Sequence, residues 1–277
     1  MSFCFRVDID SAYGMRKGVP NILDLLRKLD MQASFFVVTG GETGLVDLLA
    51  GGKNVGHGAP GVKLPPWEIA RVLLAPQNFA IKHAELLLDA KKQGHEIGAH
   101  GWKHREWTRN LENLDLTDRF QKIVAQFQST FGFKPTLFTA PAFKTNLAVL
   151  NALDKFGFQA AGDLDGVKPF HPVYAGQKFN HVQVPVTLKD QYTRPLIEGL
   201  CFDGYSDVSV VKLITTEIQK QQRENGFSCF YCHDLFEGIN KISVLKEVLT
   251  FVKQENIEIT TMHRAAKQCS DYELVSL

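Results

Sequence analysis

Two histidines, His100 and His104, stand four residues apart just after a short run that ends in Ala99. Side chains at i and i+4 face the same way on a helical turn, so two imidazoles at this spacing can bind one metal ion. The glycine-rich turn around His100 has low helix propensity, but it lets the backbone approach an ion closely. Two surface or capping histidines would give the same motif. A metal site here therefore needs a third ligand from elsewhere.

Two aspartates that could supply this ligand, Asp8 and Asp10, lie at the end of the first apolar run of the chain. Two carboxylates at the end of a buried strand are costly unless positive charge compensates them. A divalent ion would compensate them, and one carboxylate with two histidines leaves coordination positions open, as in catalytic sites. Helix capping, or pairing with Arg6 or Arg16, would also account for the two acids.

Together these groups would perform metal-assisted hydrolysis of an amide. The ion would polarise the carbonyl and activate water, and the second carboxylate would accept the proton of that water. A histidine on the opposite side would protonate the leaving amine, and His233 follows a later apolar run. A histidine satisfied within the core is the alternative interpretation of His233.

Strands and helices that alternate along the chain would position these residues. The predicted strands are residues 3–9, 33–38, 95–99, 136–139, 158–162, 182–186, 227–232 and 257–260. The predicted helices are residues 18–29, 79–93, 116–131, 147–156, 209–222 and 244–253. This order predicts an α/β fold with parallel strands, either an open sheet or a closed barrel. The chemically active residues follow the strands, where a parallel α/β barrel has its active site.

Composition narrows the function further. The 277 residues carry 31 Lys plus Arg and 30 Asp plus Glu, and this balance argues against a nucleic-acid partner. Neither a signal peptide nor an apolar run long enough to span a membrane is recognisable in the sequence. Five cysteines, an odd number, fit a reducing compartment. We therefore expect a cytoplasmic protein.

The acid pair, the His100-x-x-x-His104 motif, a proline-containing motif after the fourth strand and the late His233 resemble the polysaccharide deacetylase (NodB-homology) superfamily over essentially the whole chain. The resemblance implies one catalytic domain over residues 1–277, folded as a distorted (β/α)7-8 barrel. It implies Asp8 as general base and His233 as general acid. It implies Asp10, His100 and His104 as ligands of one divalent metal, with zinc, manganese, cobalt and nickel all possible.

A subgroup of that superfamily is more similar still: the deformylases of 4-deoxy-4-formamido-L-arabinose linked to undecaprenyl phosphate, in lipid A modification. The segments shared with it are residues 14–20, 32–36, 95–98 and 184–188. This resemblance implies removal of an N-formyl or N-acetyl group from an amino sugar. Thr139 stands where many deacetylases have an arginine that tunes the base, so the ionisation of Asp8 would depend on the metal and Asp163. We assign Arg16, Pro141, Asp163 and Trp67 to substrate binding.

An insertion at about residues 40–78 breaks the alternation of strands and helices. Its apolar residues suit a polyprenyl-linked substrate or shallow contact with the membrane face, with Trp67, Leu73 and Leu74 as an interfacial anchor. A lid over a soluble sugar is the alternative. Two other functions remain open: deacetylation of a peptidoglycan- or chitin-like saccharide, and sugar binding without catalysis.

Overall fold

The computed structural model describes residues 1–44 and 64–277. Its strands are β1 (Ser2–Ile9), β2 (Ser34–Val37), β3 (Glu96–Ala99), β4 (Leu137–Phe138), β5 (Ala160–Ala161), β6 (His171–Tyr174), β7 (Gln177–Lys178), β8 (Val182–Gln183), β9 (Phe227–His233), β10 (Glu258–Thr260) and β11 (Tyr272–Leu274). Its α-helices are α1 (Ala12–Leu29), α2 (Pro66–Leu74), α3 (Phe79–Lys82), α4 (Ala84–Lys92), α5 (His104–Asn110), α6 (Leu116–Phe131), α7 (Leu147–Phe156), α8 (Leu196–Phe202), α9 (Asp207–Asn225), α10 (Ile242–Gln254) and α11 (Met262–Lys267).

The main sheet has eight strands in the order β10-β1-β2-β3-β4-β5-β8, and β9 pairs with the other side of β1. All of these pairings are parallel. A bridge between Leu188 and Phe230 joins the segment after β8 to β9, so the two ends of the curled sheet meet. The expected distorted (β/α)7-8 barrel is thereby confirmed.

Strand β1 is buried on both faces, and its alternation assigns each side chain to one layer. Phe3, Phe5, Val7 and Ile9 belong to the large core between the sheet and its helices. Cys4 points the other way and packs in the smaller cluster inside the barrel. Because the period is two, Arg6 and Asp8 share the inner face with Cys4.

Helix α1 begins earlier than residue 18, where the sequence predicted its start. The Ser11 side chain accepts a hydrogen bond from the Gly14 amide and caps the helix at Ala12. Pro20, expected in the first turn, therefore lies in the interior of the helix. The predicted helix over 79–93 is divided into α3 and α4 at His83. Helices α6 and α7 have the predicted bounds, each with a side-chain cap at its start and a glycine at its end.

Helix α11 covers the end of the barrel where the strands begin. The Glu96 carboxylate accepts hydrogen bonds from the Thr261 hydroxyl at 2.6 Å and from the His263 amide at 3.0 Å. The Ser34 hydroxyl accepts one from the Met262 amide. These bonds close the floor of the barrel and leave the carboxyl ends of the strands as the open face.

The sequence missed a small second sheet, β11-β6-β7, and the helices α2, α5, α8 and α11. Of the insertion predicted at about 40–78, residues 45–63 lie outside the described residues. None of the helices in the described ranges is long and apolar enough to cross a bilayer. The single domain over 1–277 stays a prediction.

His95, the residue before β3, makes stability depend on pH. It is buried, and its Nδ1 accepts a hydrogen bond from the Ala33 amide at 3.1 Å. Burial lowers the pKa of His95 from 6.5 to about 4, so its contribution to stability is complete above pH 6.5 and is lost as the pH falls toward 4.

We expect the free energy of unfolding to fall less steeply over this range in His95→Asn, whose side-chain oxygen replaces the acceptor without titrating. Urea denaturation at several pH values measures the difference. If the free energy of unfolding fell equally steeply with pH in both proteins, His95 would not be the titrating group.

Candidate active site

The carboxylate of Asp10, directly after β1, faces three imidazoles. Its Oδ1 lies 3.3 Å from His100 Nε2, and its Oδ2 lies 3.8 Å from His104 Nε2 and 3.9 Å from His233 Nε2. Burial alone would raise the pKa of Asp10, but the three histidines lower it below its ordinary value. The carboxylate is therefore held in its ionised form at the centre of the site.

The sequence-predicted ligand set forms one cluster. Asp10, His100 and His104 each offer a ligand atom, and these atoms lie within 4.8 Å of one another. Asp10 Oδ1 is buried and has no hydrogen-bond partner, which is costly unless something positive occupies the space beside it. One carboxylate with two imidazoles is a donor set suited to a divalent transition metal. These residues therefore fit the predicted ion.

A hydrogen bond from behind orients the His100 ring. Its Nδ1 lies 3.1 Å from the Thr139 carbonyl oxygen and 2.7 Å from the Thr139 hydroxyl. A carbonyl can only accept, so Nδ1 carries the proton and Nε2 keeps a free lone pair toward Asp10. Thr139, which the resemblance aligns with a tuning arginine of many deacetylases, thus contacts His100 in this chain.

The two histidines do not share a helical turn, so that part of the sequence interpretation is wrong. His100 lies in the loop after β3, and His104 is the first residue of α5. Gly101 between them has a φ of +64°, and a Cβ there would lie 3.0 Å from the ring of Pro141. The glycine turn allows the close approach of Pro141, and the rings of His100 and His104 lie 5.8 Å apart.

The carboxylate of Asp8 is bound by Arg6, a residue that the sequence had offered only as a structural alternative. Arg6 Nε donates to Asp8 Oδ1 at 2.8 Å, and Nη2 donates to Oδ2 at 2.6 Å. Both side chains are buried. Burial alone would lower the pKa of Arg6, but Asp8 raises it above its ordinary value, so the guanidinium stays charged.

His233, at the end of β9, is held by two acids that the sequence analysis missed. Its Nδ1 lies 3.1 Å from the carboxylate of Glu198 in α8, and its amide donates to Glu237 Oε2 at 2.9 Å. Burial alone would lower the pKa of His233, but the hydrogen bond to Glu198 and the charges of Asp10 and Glu237 raise it to about 10. The ring is protonated at neutral pH and directs its Nε2 toward Asp10.

Two glycines of α1 allow the chain after His233 to lie close to the helix. A Cβ at Gly14 would lie 2.0 Å from Asp234 Oδ2, and one at Gly18 would lie 1.7 Å from the Asp234 carbonyl oxygen. The Asp234 carboxylate accepts from the amide and hydroxyl of Ser11 at 3.3 Å. Asp234 therefore fixes the start of α1 and does not orient the His233 ring.

The predicted substrate-binding residues fall into two groups. Asp163 is buried beside Arg6; its Oδ1 accepts from the Ala140 amide at 2.6 Å, and burial raises its pKa to about 7. Pro141 packs against Gly101 at the site. Arg16 and Trp67 form the second group: Arg16 donates to Glu68 at 2.9 Å, and the centres of the Trp67 and Tyr13 rings lie 6.3 Å apart.

Arg6, Glu198 and Glu237 differ in how far the sequence could have indicated their roles. Arg6 precedes Asp8 by two residues in a predicted strand, so alternation alone would have brought the two side chains to one face. Glu198 and Glu237 come from segments with no recognisable motif, and only the fold brings them to His233. No local pattern in the sequence could have identified them.

Comparison with known proteins agrees with this geometry. The family model for polysaccharide deacetylases matches residues 8–161. A protein named probable 4-deoxy-4-formamido-L-arabinose-phosphoundecaprenol deformylase from Shewanella sediminis is 26% identical over 93% of this chain and 83% of its own length. A protein of the same name from Wigglesworthia glossinidia brevipalpis is 24% identical over 88% of this chain and 85% of its own.

One solved structure supports the fold. A protein assigned as a polysaccharide deacetylase, from Mycobacterium smegmatis, superposes with a TM-score of 0.70 at 17% identity, covering 100% of this chain and 94% of its own. At that identity the likeness extends to the fold alone.

Proposed function

Since this chain belongs to the polysaccharide deacetylase family and is a carbon–nitrogen amide hydrolase, we propose that it removes an N-formyl group from a lipid-phosphate-linked formamido-arabinose. The relatives matched over most of the chain carry that activity in their names. The proposal includes a role in lipid A modification. An N-acetyl group in place of the formyl group is the nearest variant of this activity.

The observation that carries the proposal is the grouping of Asp10, His100 and His104 with the protonated His233, whose partner across the β1–β9 pairing is Asp8. Strand pairing sets Asp8 opposite His233 in the register of β1 and β9. We propose that the cluster holds one divalent ion, which when bound polarises the acyl carbonyl and lowers the pKa of water. Zinc, manganese, cobalt and nickel all suit these ligands.

The residues of the chain supply the proton transfers. Asp8 takes a proton from the attacking water, and two hydrogen bonds from Arg6 hold its carboxylate in place. His233 Nε2 gives a proton to the departing amine, while Glu198 holds the opposite ring nitrogen. The products are formate and an amino sugar. Asp163 and Pro141 border the site where the sugar would bind, and we assign them to substrate contact.

The insertion supports a lipid-linked substrate. Helix α2 turns its charged residues inward: Glu68 is fully buried, and Arg71 donates to Glu68 at 2.6 Å and to Glu42 at 2.7 Å. Its outer side carries Trp67, 61% exposed, and Leu74, 78% exposed. A helix that hides its charges and exposes apolar side chains suits the boundary of a bilayer.

We propose that this face rests on the cytoplasmic side of the membrane, with Arg16 tied to α2 through Glu68. Deacetylation of a peptidoglycan- or chitin-like chain gains no support from such a face, because those substrates are polar polymers. Sugar binding without catalysis does not require a protonated histidine held by two carboxylates, as His233 is.

The activity is tested by amine release from formamido and acetamido sugars. We expect Asp8→Asn to keep a full equivalent of metal but lose turnover, because an amide cannot accept the water's proton. Asp10→Asn should lower the metal content as well, because it removes a charged ligand. Elemental analysis and amine release measure the two effects. If instead Asp8→Asn lost the metal and Asp10→Asn kept it, Asp8 would be the ligand and Asp10 the base. A wild-type chain that releases no amine from any of these sugars would overturn the proposed activity.

His233→Ala should lower kcat by about 10²–10⁴-fold, the usual cost of a lost proton donor. Metal content should change little, because Asp10, His100 and His104 remain. His171→Ala is the matched control, since His171 lies in β6 and stacks on Tyr272. A near-normal kcat in His233→Ala would remove the residue from the mechanism.

Ile69→Ser/Leu74→Ser tests the membrane face. Both side chains are exposed on α2, and losing their insertion should raise KM for lipid-linked substrate in vesicles by at least about tenfold. Turnover of the free headgroup should stay unchanged. Val208→Ser, which replaces an apolar residue that is 79% exposed on α9, is the control. Equal loss on both substrates, or no loss, would contradict the proposal.

A further inference from the structure

Arg6 is fixed more firmly than a simple ion pair requires. Its fork meets both oxygens of Asp8, at 2.8 and 2.6 Å, and its remaining nitrogen, Nη1, donates to the Gly162 carbonyl oxygen at 2.7 Å. Gly162 follows β5, on the other side of the barrel interior from β1. The guanidinium thus spans the barrel beneath the site, and each of its nitrogens has an acceptor.

Aromatic rings hold the guanidinium from its sides. Its central carbon lies 4.8 Å from the centre of the Phe143 ring, 5.4 Å from that of Tyr231 and 5.6 Å from that of Phe36. Arg6 is 1% exposed, so water does not compete for its hydrogen bonds. A planar group with five donors is pre-organised for this arrangement, whereas an ammonium would offer one point charge.

The fork fixes the orientation of its partner. Two parallel bonds to one carboxylate define the plane of that carboxylate as well as its position. Each oxygen keeps a further lone pair, so Asp8 can still accept a proton. For a general base, a displacement of about 1 Å can cost about 10²-fold in rate.

We infer that Arg6 is a positioning residue of the deacylation reaction, which orients the Asp8 carboxylate toward the attacking water. This inference rests on the proposed function, in which Asp8 is the general base. The competing account is purely structural: Arg6 only compensates the buried charges of Asp8 and Asp163. The two accounts differ in what the removal of Arg6 does once Asp8 itself cannot act as a base.

The decisive variants are Arg6→Met and Arg6→Lys, each with and without Asp8→Asn. In the otherwise native chain, Arg6→Met should lower kcat by about 10²-fold, with KM and metal content unchanged. Arg6→Lys keeps the buried charge without the fork, so it should lose part of this rate at a near-native melting temperature. If Arg6→Met does not fold, the kcat of Arg6→Lys alone tests the inference. A wild-type kcat in Arg6→Lys would overturn the inference.

In the Asp8→Asn background, either Arg6 substitution should leave the residual turnover unchanged, because Arg6 acts through Asp8. A second loss as large as the first, or a loss of bound metal, would overturn the inference in favour of the structural account. Arg119→Lys is the matched control, since Arg119 makes the same two-bond fork to Glu106, at 2.6 and 3.1 Å. It should keep full kcat, and an equal loss there would also count against a specific role for Arg6.

These outcomes stay separate from failure of the proposed function. That failure shows in the wild-type chain, which would then release no amine, or in an Asp8→Asn chain as active as the wild type. The effect of Arg6 is measured only against an active wild type.

Discussion

Carboxylates brought together in a dry barrel interior are the constraint on which this site depends. Asp8 lies near the end of β1, and Asp10 and Asp163 follow β1 and β5 at the same face of the barrel. Asp8 and Asp163 are buried, and buried charges are costly without partners. The guanidinium of Arg6 compensates the charge of Asp8 through direct hydrogen bonds, and it also donates to the carbonyl oxygen of Gly162, the residue before Asp163. Three imidazoles surround the carboxylate of Asp10. The geometry of the site is largely the geometry of this charge compensation.

The arrangement around His233 is the reverse of that around Asp8. The protonated His233 is surrounded by acids: Glu198 lies at hydrogen-bond distance from its ring, and Glu237 accepts from its backbone amide. Asp8 and His233 are partners in the register of β1 and β9, so a carboxylate bound by a cation lies beside an imidazole bound by carboxylates. The close packing of Gly14 and Gly18 against Asp234 keeps the chain after His233 in place. A carboxylate that can accept a proton and a protonated imidazole on the neighbouring strand suit a reaction that moves a proton from water to an amine.

The sequence could predict those parts of the molecule that periodicity or a motif controls. Strand positions, the bounds of α6 and α7, and the cluster of Asp10 with His100 and His104 followed from spacing and resemblance. The helical turn proposed for the two histidines was wrong because Gly101 takes a positive φ there. Glu198 was invisible because α8 is one short helix whose role depends on where β9 lies. Arg6 was visible to alternation, but its guanidinium could have met solvent or substrate instead of Asp8.

The pairing of β1 with β9 has a consequence for how the chain is made. Residue 2 pairs with residue 227, so β1 leaves the ribosome long before one of the strands with which it pairs and must wait for it. At ordinary elongation rates this wait is roughly 10–45 s. Phe3, Phe5, Val7 and Ile9 would make such an exposed edge prone to aggregation. Arg6 and Asp8 interrupt that apolar run, so the charges that serve the finished site also act as gatekeepers for the nascent strand.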